Sequence, residues 1–184
     1  LLSGKVWTAI LYYSQVEKSF KENPLGHEAK LRRARIAYFQ GDFEWAQAQL
    51  DVLKASTSKL IANDAMHLSL LITDNLGLDT SEIPMQIYAR ADLLFFQNRF
   101  SESIITLDSI LDIYKGHSLT DEILFKKSKI YLKNSEIQKA VAMLEKIETD
   151  FFYDILADDA IFTLAEIYQK KLKNMEKAKA LYEK

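Results

Sequence analysis

Cysteine is absent from the 184-residue chain, which excludes disulfides, thiolate nucleophiles and thiolate metal sites. Glycine and proline are scarce, at 5 and 2 residues. So little turn chemistry cannot punctuate a many-stranded β protein, and it favours helices. An excess of positive charge is missing as well: 24 basic residues stand against 26 acidic ones, a formal net charge of -2. No bulk basicity therefore points to nucleic acid or to an anionic membrane. Apolar runs such as AILYY (9–13) and LLFF (93–96) fall far short of the ~20 residues that a helical membrane span requires. The opening LLSGKVWTAI lacks a basic start followed by a long apolar stretch, so it does not read as a signal peptide. A first residue other than Met reads as a piece of something longer.

What is there suits a folded protein: 48% of the residues are hydrophobic and 27% charged. The stretch ARIAYFQGDFEWAQAQL (34–50) shows the pattern most clearly. Leu31, Ala34, Ile36, Ala37 and Tyr38 recur at helical spacings, Gly41-Asp42 interrupts them, and Phe43, Ala46, Leu50 and Leu53 resume in steps of three and four. Gly41 suits the left-handed residue that ends one helix, and Asp42 suits the cap of the next. Small Ala34 and Ala46 let two antiparallel helices approach closely, with Phe43 filling the space near the turn.

The pattern recurs. Counting from Gly41, the same positions give Gly4, Val6, Ala9 and Tyr13 a step of 37 earlier, and Asn98, Phe100, Ser103 and Leu107 a step of 57 later. A further 37 residues on stand Ser135, Ile137, Ala140 and Leu144. A fourth copy holds Ala165, Tyr168, Met175, Ala178 and Tyr182, with one extra residue at the turn KKLKN. GHEA (26–29), LTDEI (119–123) and LADDA (156–160) are similar lead-ins.

On these residues the chain resembles the tetratricopeptide repeat family, whose pattern has a small residue at position 8, a turn near 15, an aromatic near 17 and Ala at 20. ARIAYFQGDFEWA and LAEIYQKKLKNMEKA match well; ADLLFFQNRFSES and SKIYLKNSEIQKA match loosely, with Ser103 and Ser128 where the family prefers Ala or Gly. The family's first-helix Trp is absent, since Trp7 and Trp45 lie on second helices. The usual period is about 34, so steps of 36 to 38 imply longer loops. That spacing and the LADDA type of lead-in resemble tetratricopeptide proteins of bacterial envelopes. The resemblance implies an all-α, right-handed α-solenoid of antiparallel helix pairs.

The step of 57 breaks the regularity. IANDAMHLSLLITDNLG (61–77) aligns as a first helix, Ala65 matching Ala29, but its second helix is missing. GLDTSEIP (77–84) then turns the chain into another first helix, MQIYARADLLFFQ (85–97). The expectation is one unpaired helix near 60–76 and an irregular joint at 77–84, with Gly77 and Pro84, separating sub-blocks 1–76 and 82–184 of a single array over 1–184. Helices are expected near 4–21, 26–40, 42–56, 60–76, 82–97, 100–115, 119–133, 136–149, 155–171 and 174–184.

Catalytic motifs are incomplete. HEAKL (27–31) has Leu31 where a zinc protease needs its second His. KGHSLT (115–120) lacks the second Gly of a nucleophile elbow, and Ser118 reads instead as a cap of the following helix. DNLGLDTSE (74–82) lacks the alternating ligands of a calcium loop. His27, His67 and His117 read as surface or loop residues. Asp158-Asp159, like His27-Glu28 and Asp121-Glu122, stands at a helix start, where acids meet the positive end of the helix dipole. Lys126, Lys127, Lys129 and Lys133 read as a solvated face. No catalytic residue, cofactor, metal site or nucleic-acid partner is expected, and no enzyme.

The resemblance implies protein or peptide binding, with first helices lining a groove. On the family pattern, position 5 gives Leu31, Tyr88, Phe125 and Phe162, and position 9 gives Arg35, Asp92, Lys129 and Glu166. Steps of 37 residues set Tyr88, Phe125 and Phe162 in a row beside charges of alternating sign. Packing of Phe125 and Phe162 between neighbouring helices is the competing expectation. Val6, Ile10, Tyr13 and Leu181 near the two ends have no evident polar cap, which predicts self-association there. A structural segment of a larger envelope protein, or a non-catalytic domain of a larger enzyme, is the alternative. A periplasmic or envelope-facing placement and a cytoplasmic one both fit.

Overall fold

The turn after Tyr38 sets the local pattern. Gly41 adopts the left-handed backbone conformation, with φ 80°. The Gly41 N–H donates to Tyr38 O and the Asp42 N–H to Ala37 O, satisfying carbonyls that the helix end would leave orphaned. Asp42 then caps the next helix, its Oδ1 accepting from the Trp45 N–H at 3.2 Å. Asn98 and Ser135 take φ of 60° and 62° at the equivalent places. Their bonds repeat the scheme: Asn98 N–H to Phe95 O and Arg99 N–H to Leu94 O, Ser135 N–H to Leu132 O and Glu136 N–H to Tyr131 O. In the fourth copy the left-handed residue is Lys173, φ 56°, which absorbs the additional residue of that turn.

The structure is a computed structural model that describes residues 5–55, 58–76 and 81–184. Among the described residues it contains ten α-helices and no strand: α1 (Val6–Ser19), α2 (Pro24–Gln40), α3 (Phe43–Leu53), α4 (Lys59–Leu76), α5 (Ile83–Phe96), α6 (Phe100–Ile113), α7 (Thr120–Lys133), α8 (Ile137–Asp150), α9 (Ala157–Lys170) and α10 (Met175–Tyr182). Every expected helix is present. The fold is an all-α helical repeat, and the pairs α2–α3, α7–α8 and α9–α10 pack as antiparallel neighbours.

Small residues meet where the pairs need close approach. Ala34 and Ala46 are fully buried, and so are Ala91 and Ser103, Ser128 and Ala140, and Ala165 with Ala178. A serine at such a position must satisfy its hydroxyl. Ser103 donates to Ala91 O at 2.8 Å across its pair, and Ser128 donates to Phe125 O at 2.7 Å within its own helix. Position 26 requires glycine for a different reason. A Cβ there would stand 2.0 Å from the Phe20 carbonyl oxygen, so only a bare Cα lets α2 start so close to the end of α1. α2 begins at Pro24, with Asn23 as its cap, which leaves His27-Glu28 inside the helix rather than at its start.

The chain forms two compact units, Leu1–Thr106 and Leu107–Lys184. In the first, α2 packs on α1 and α3, and α3 packs on α4. α4 has no second helix of its own; the following helix, α5, lies mainly against α2. Gln86 rests on Gly41, Tyr88 and Asp92 act on Tyr38, and the rings of Phe96 and Phe39 meet at 6.1 Å. These interactions set α5 against the last turns of α2 and the Gly41 turn that follows. The boundary between compact units falls inside α6. Pro84 belongs to the first turn of α5, while 77–80, Gly77 included, lie outside the described residues, as does Gly4.

The second unit is built on α7 to α10. Its core joins Leu124 and Phe125 with Val141, Leu144, Leu164, Tyr168 and Leu181. Lys127, expected on a solvated face, instead pairs with Asp108 at 2.5 Å. The N-cap position of α7 is Leu119, whose side chain makes no cap bond. The His117 Nδ1 accepts from the Leu119 N–H at 3.1 Å, and the Thr120 hydroxyl donates to His117 O at 2.6 Å.

Candidate interaction surface

The eight expected groove residues divide by burial. Leu31 and Tyr88 in the first unit and Phe125 in the second are buried, so no continuous apolar row of position-5 side chains faces solvent. Phe162, by contrast, is 57% exposed and stacks edge-on against Tyr182 at 5.8 Å. The packing of Phe125 and Phe162 between helices therefore holds for the first and not for the second. Packing between helices accounts for this: Phe125 belongs to the core cluster with residues of α8, α9 and α10, whereas Phe162 lies outside that cluster and meets Tyr182 of α10 at its ring edge.

The position-9 residues stay accessible. Arg35 and Asp92 are half-buried, Lys129 is exposed and Glu166 is half-buried. The Lys129 ammonium lies 4.1 Å from the centroid of the Phe125 ring, a cation–π contact that orients the charge. Glu166 pairs with Lys170 one turn on. In the first unit the packing of α5 on α2 brings Arg35, Tyr88 and Asp92 near Tyr38. Burial, and then the Asp92 charge, push the Tyr38 phenol well above its ordinary pKa. The Tyr38 hydroxyl lacks a partner at hydrogen-bonding geometry, so the action of Asp92 on it is one of proximity and not of a well-formed bond.

Two features escape sequence reasoning. The loop before α9 presents Phe152, Tyr153 and Ile155 to solvent, with Tyr153 73% exposed and packed edge-on against Phe152 at 5.3 Å. DFFYDI carried the signal, an apolar run outside the helical period. The second is a polar cleft between α1, α2 and α3, where Glu17 meets Arg33 at 2.5 Å and Lys30 at 3.6 Å. No local spacing links Glu17 to residues on the next helix.

Among the described residues no group of three or more His, Asp or Glu is placed to hold a metal ion. No helix among them is long and apolar enough to cross a membrane. The sequence profile of the family described as Tetratricopeptide repeat protein 21 ARM repeat matches residues 30–184. No curated protein and no solved structure matches the chain.

Proposed function

Since the chain belongs to the Tetratricopeptide repeat protein 21 ARM repeat family, we propose that it is a non-catalytic scaffold that binds a protein or peptide through the first helices of its pairs. The observation that carries this reading is the division of labour along those helices. Position 5 supplies core at Leu31, Tyr88 and Phe125, while position 9 keeps Arg35, Asp92, Lys129 and Glu166 accessible to a partner. Charge of alternating sign selects a partner more than it adds raw affinity. Exposed Phe162 is the one aromatic of the set able to act as an anchor.

The test is titration calorimetry with a peptide selected on the purified chain from a random library. Arg35→Glu, Lys129→Glu and Phe162→Ala should each weaken binding by roughly tenfold or more, ~1.4 kcal/mol, without lowering the melting temperature. Affinity unchanged in all three would remove this surface from consideration.

A structural or self-associating segment is the second reading, supported by exposed Trp7, Leu11 and Tyr12 on α1. The resemblance to bacterial envelope proteins rests only on loop length and lead-ins, and the family match lends it no support.

A further inference from the structure

The polar cleft of the first unit has a volume of about 510 Å³, within the range of binding clefts for small groups. It lies between the second helices α1 and α3, with α2 as its floor, and so is separate from the surface proposed above. Lys18, Lys21, Lys30 and Arg33 line it, against Glu17 and Glu22, leaving an excess of positive charge. Exposed Val52 from the end of α3 forms an apolar part of the wall.

Arg33 is the fixed point. Glu17 of α1 accepts from its Nη1 at 2.5 Å, and its guanidinium carbon lies 5.1 Å from the centre of the Trp45 ring of α3. Both contacts hold the fork in place before any ligand arrives. Nevertheless the Arg33 Nε is buried without a hydrogen-bond acceptor, an unusual state for a charged donor group. Glu17 also serves Lys30 at 3.6 Å, so one carboxylate faces two cations and cannot neutralise both. A cation pair that shares one carboxylate and stays partly open to the cleft, beside an apolar wall, suits a carboxylate carried on a hydrocarbon side chain. A compact multiply charged phosphate would meet Glu17 and gain nothing from Val52.

We propose that this cleft binds acidic side chains of a protein partner, with Lys30 and Arg33 as the anion-binding pair and Glu17 as a built-in competitor. The competitor role gives the proposal an unusual signature. Removing Glu17's charge strengthens binding, whereas a merely structural ion pair would only weaken the fold when broken.

The probe is a fluorescein-labelled peptide of alternating glutamate and leucine, with its glutamine counterpart as control, followed by fluorescence anisotropy at about 0.1 M salt, where the screening length is about 10 Å. Saturable binding of the glutamate peptide alone is expected. Glu17→Gln should tighten it several-fold, and Lys18→Glu with Lys30→Glu should weaken it by roughly tenfold or more. Arg35→Glu and Lys129→Glu, on the first-helix surface, should leave it unchanged, so failure here and failure of the scaffold reading are distinguishable. Circular dichroism confirms that each variant is folded; if Glu17→Gln unfolds, the Lys18/Lys30 pair alone decides. Equal binding of the glutamine peptide, indifference to the lysine reversals, or full displacement by millimolar inorganic phosphate would each overturn the proposal.

Discussion

Single residues at the helix turns carry measurable strain. Gly41, Asn98, Ser135 and Lys173 all sit at positive φ, yet only the first lacks a Cβ. The left-handed conformation costs an L residue about 1–2 kcal/mol, less for Asn, whose side chain tolerates it. Substituting glycine removes that cost but widens the unfolded ensemble, which takes back part of the gain. Ser135→Gly and Lys173→Gly are therefore expected to raise stability by ~0.5–1 kcal/mol each, and Asn98→Gly by less. Urea denaturation checks this. A loss of stability at Ser135→Gly would mean that its side chain holds the turn together.

At the scale of elements, α10 is fastened to α8 and α9 by one polar cluster. The Lys177 ammonium donates to the Tyr168 hydroxyl at 2.6 Å and to Glu145 Oε1 at 2.9 Å, and the Tyr168 hydroxyl donates to Glu145 Oε1 at 3.1 Å. The Lys177 bond, foremost, holds the Glu145 carboxyl below its ordinary pKa, against a smaller opposing effect of burial. The hydrogen bond to the Tyr168 hydroxyl, and then the one to Glu145, raise the Lys177 ammonium above its ordinary pKa. A carboxyl depressed in the folded state adds stability above its unfolded value, about 4.3, and loses it as pH falls through the folded value. Below about pH 4, α10 is expected to loosen before α7–α9. Amide exchange at Ala178 and Leu181, rising with acid in the native chain and already fast in Glu145→Gln, is the measurement. Uniform protection of α9 and α10 through that window would rule the latch out.

For the molecule as a whole, the exposed apolar residues set its behaviour in solution. α1 buries none of its residues fully, and Trp7 is 78% exposed beside Leu11 and Tyr12 on successive turns. An amphipathic helix ordinarily turns such a stripe inward. The chain is expected to associate through this face as its concentration rises, and Trp7→Lys with Leu11→Lys to abolish the effect. Sedimentation velocity across a hundredfold range of ~1–100 µM, where contacts of modest area become populated, reads this directly. Concentration-independent sedimentation of the parent chain would show the stripe to be inert.

Local chemistry alone determined the repeat. The size of the side chain at 34 and 46, the residues able to turn left-handed at 41, 98 and 135, and the helical spacing between them are properties of short segments, and the backbone obeys them. The missing second helix after α4 was legible for the same reason. Only tertiary packing decided which position-5 residues become core. Phe125 and Phe162 occupy the same place in the repeat, yet the first joins the core with residues of α8, α9 and α10 while the second stays outside it, exposed, with its ring against Tyr182. The packing of α5 on α2 and the meeting of Glu17 with Arg33 join residues from different helices. A periodic pattern specifies which face of a helix is apolar, but not how many neighbours arrive to cover it.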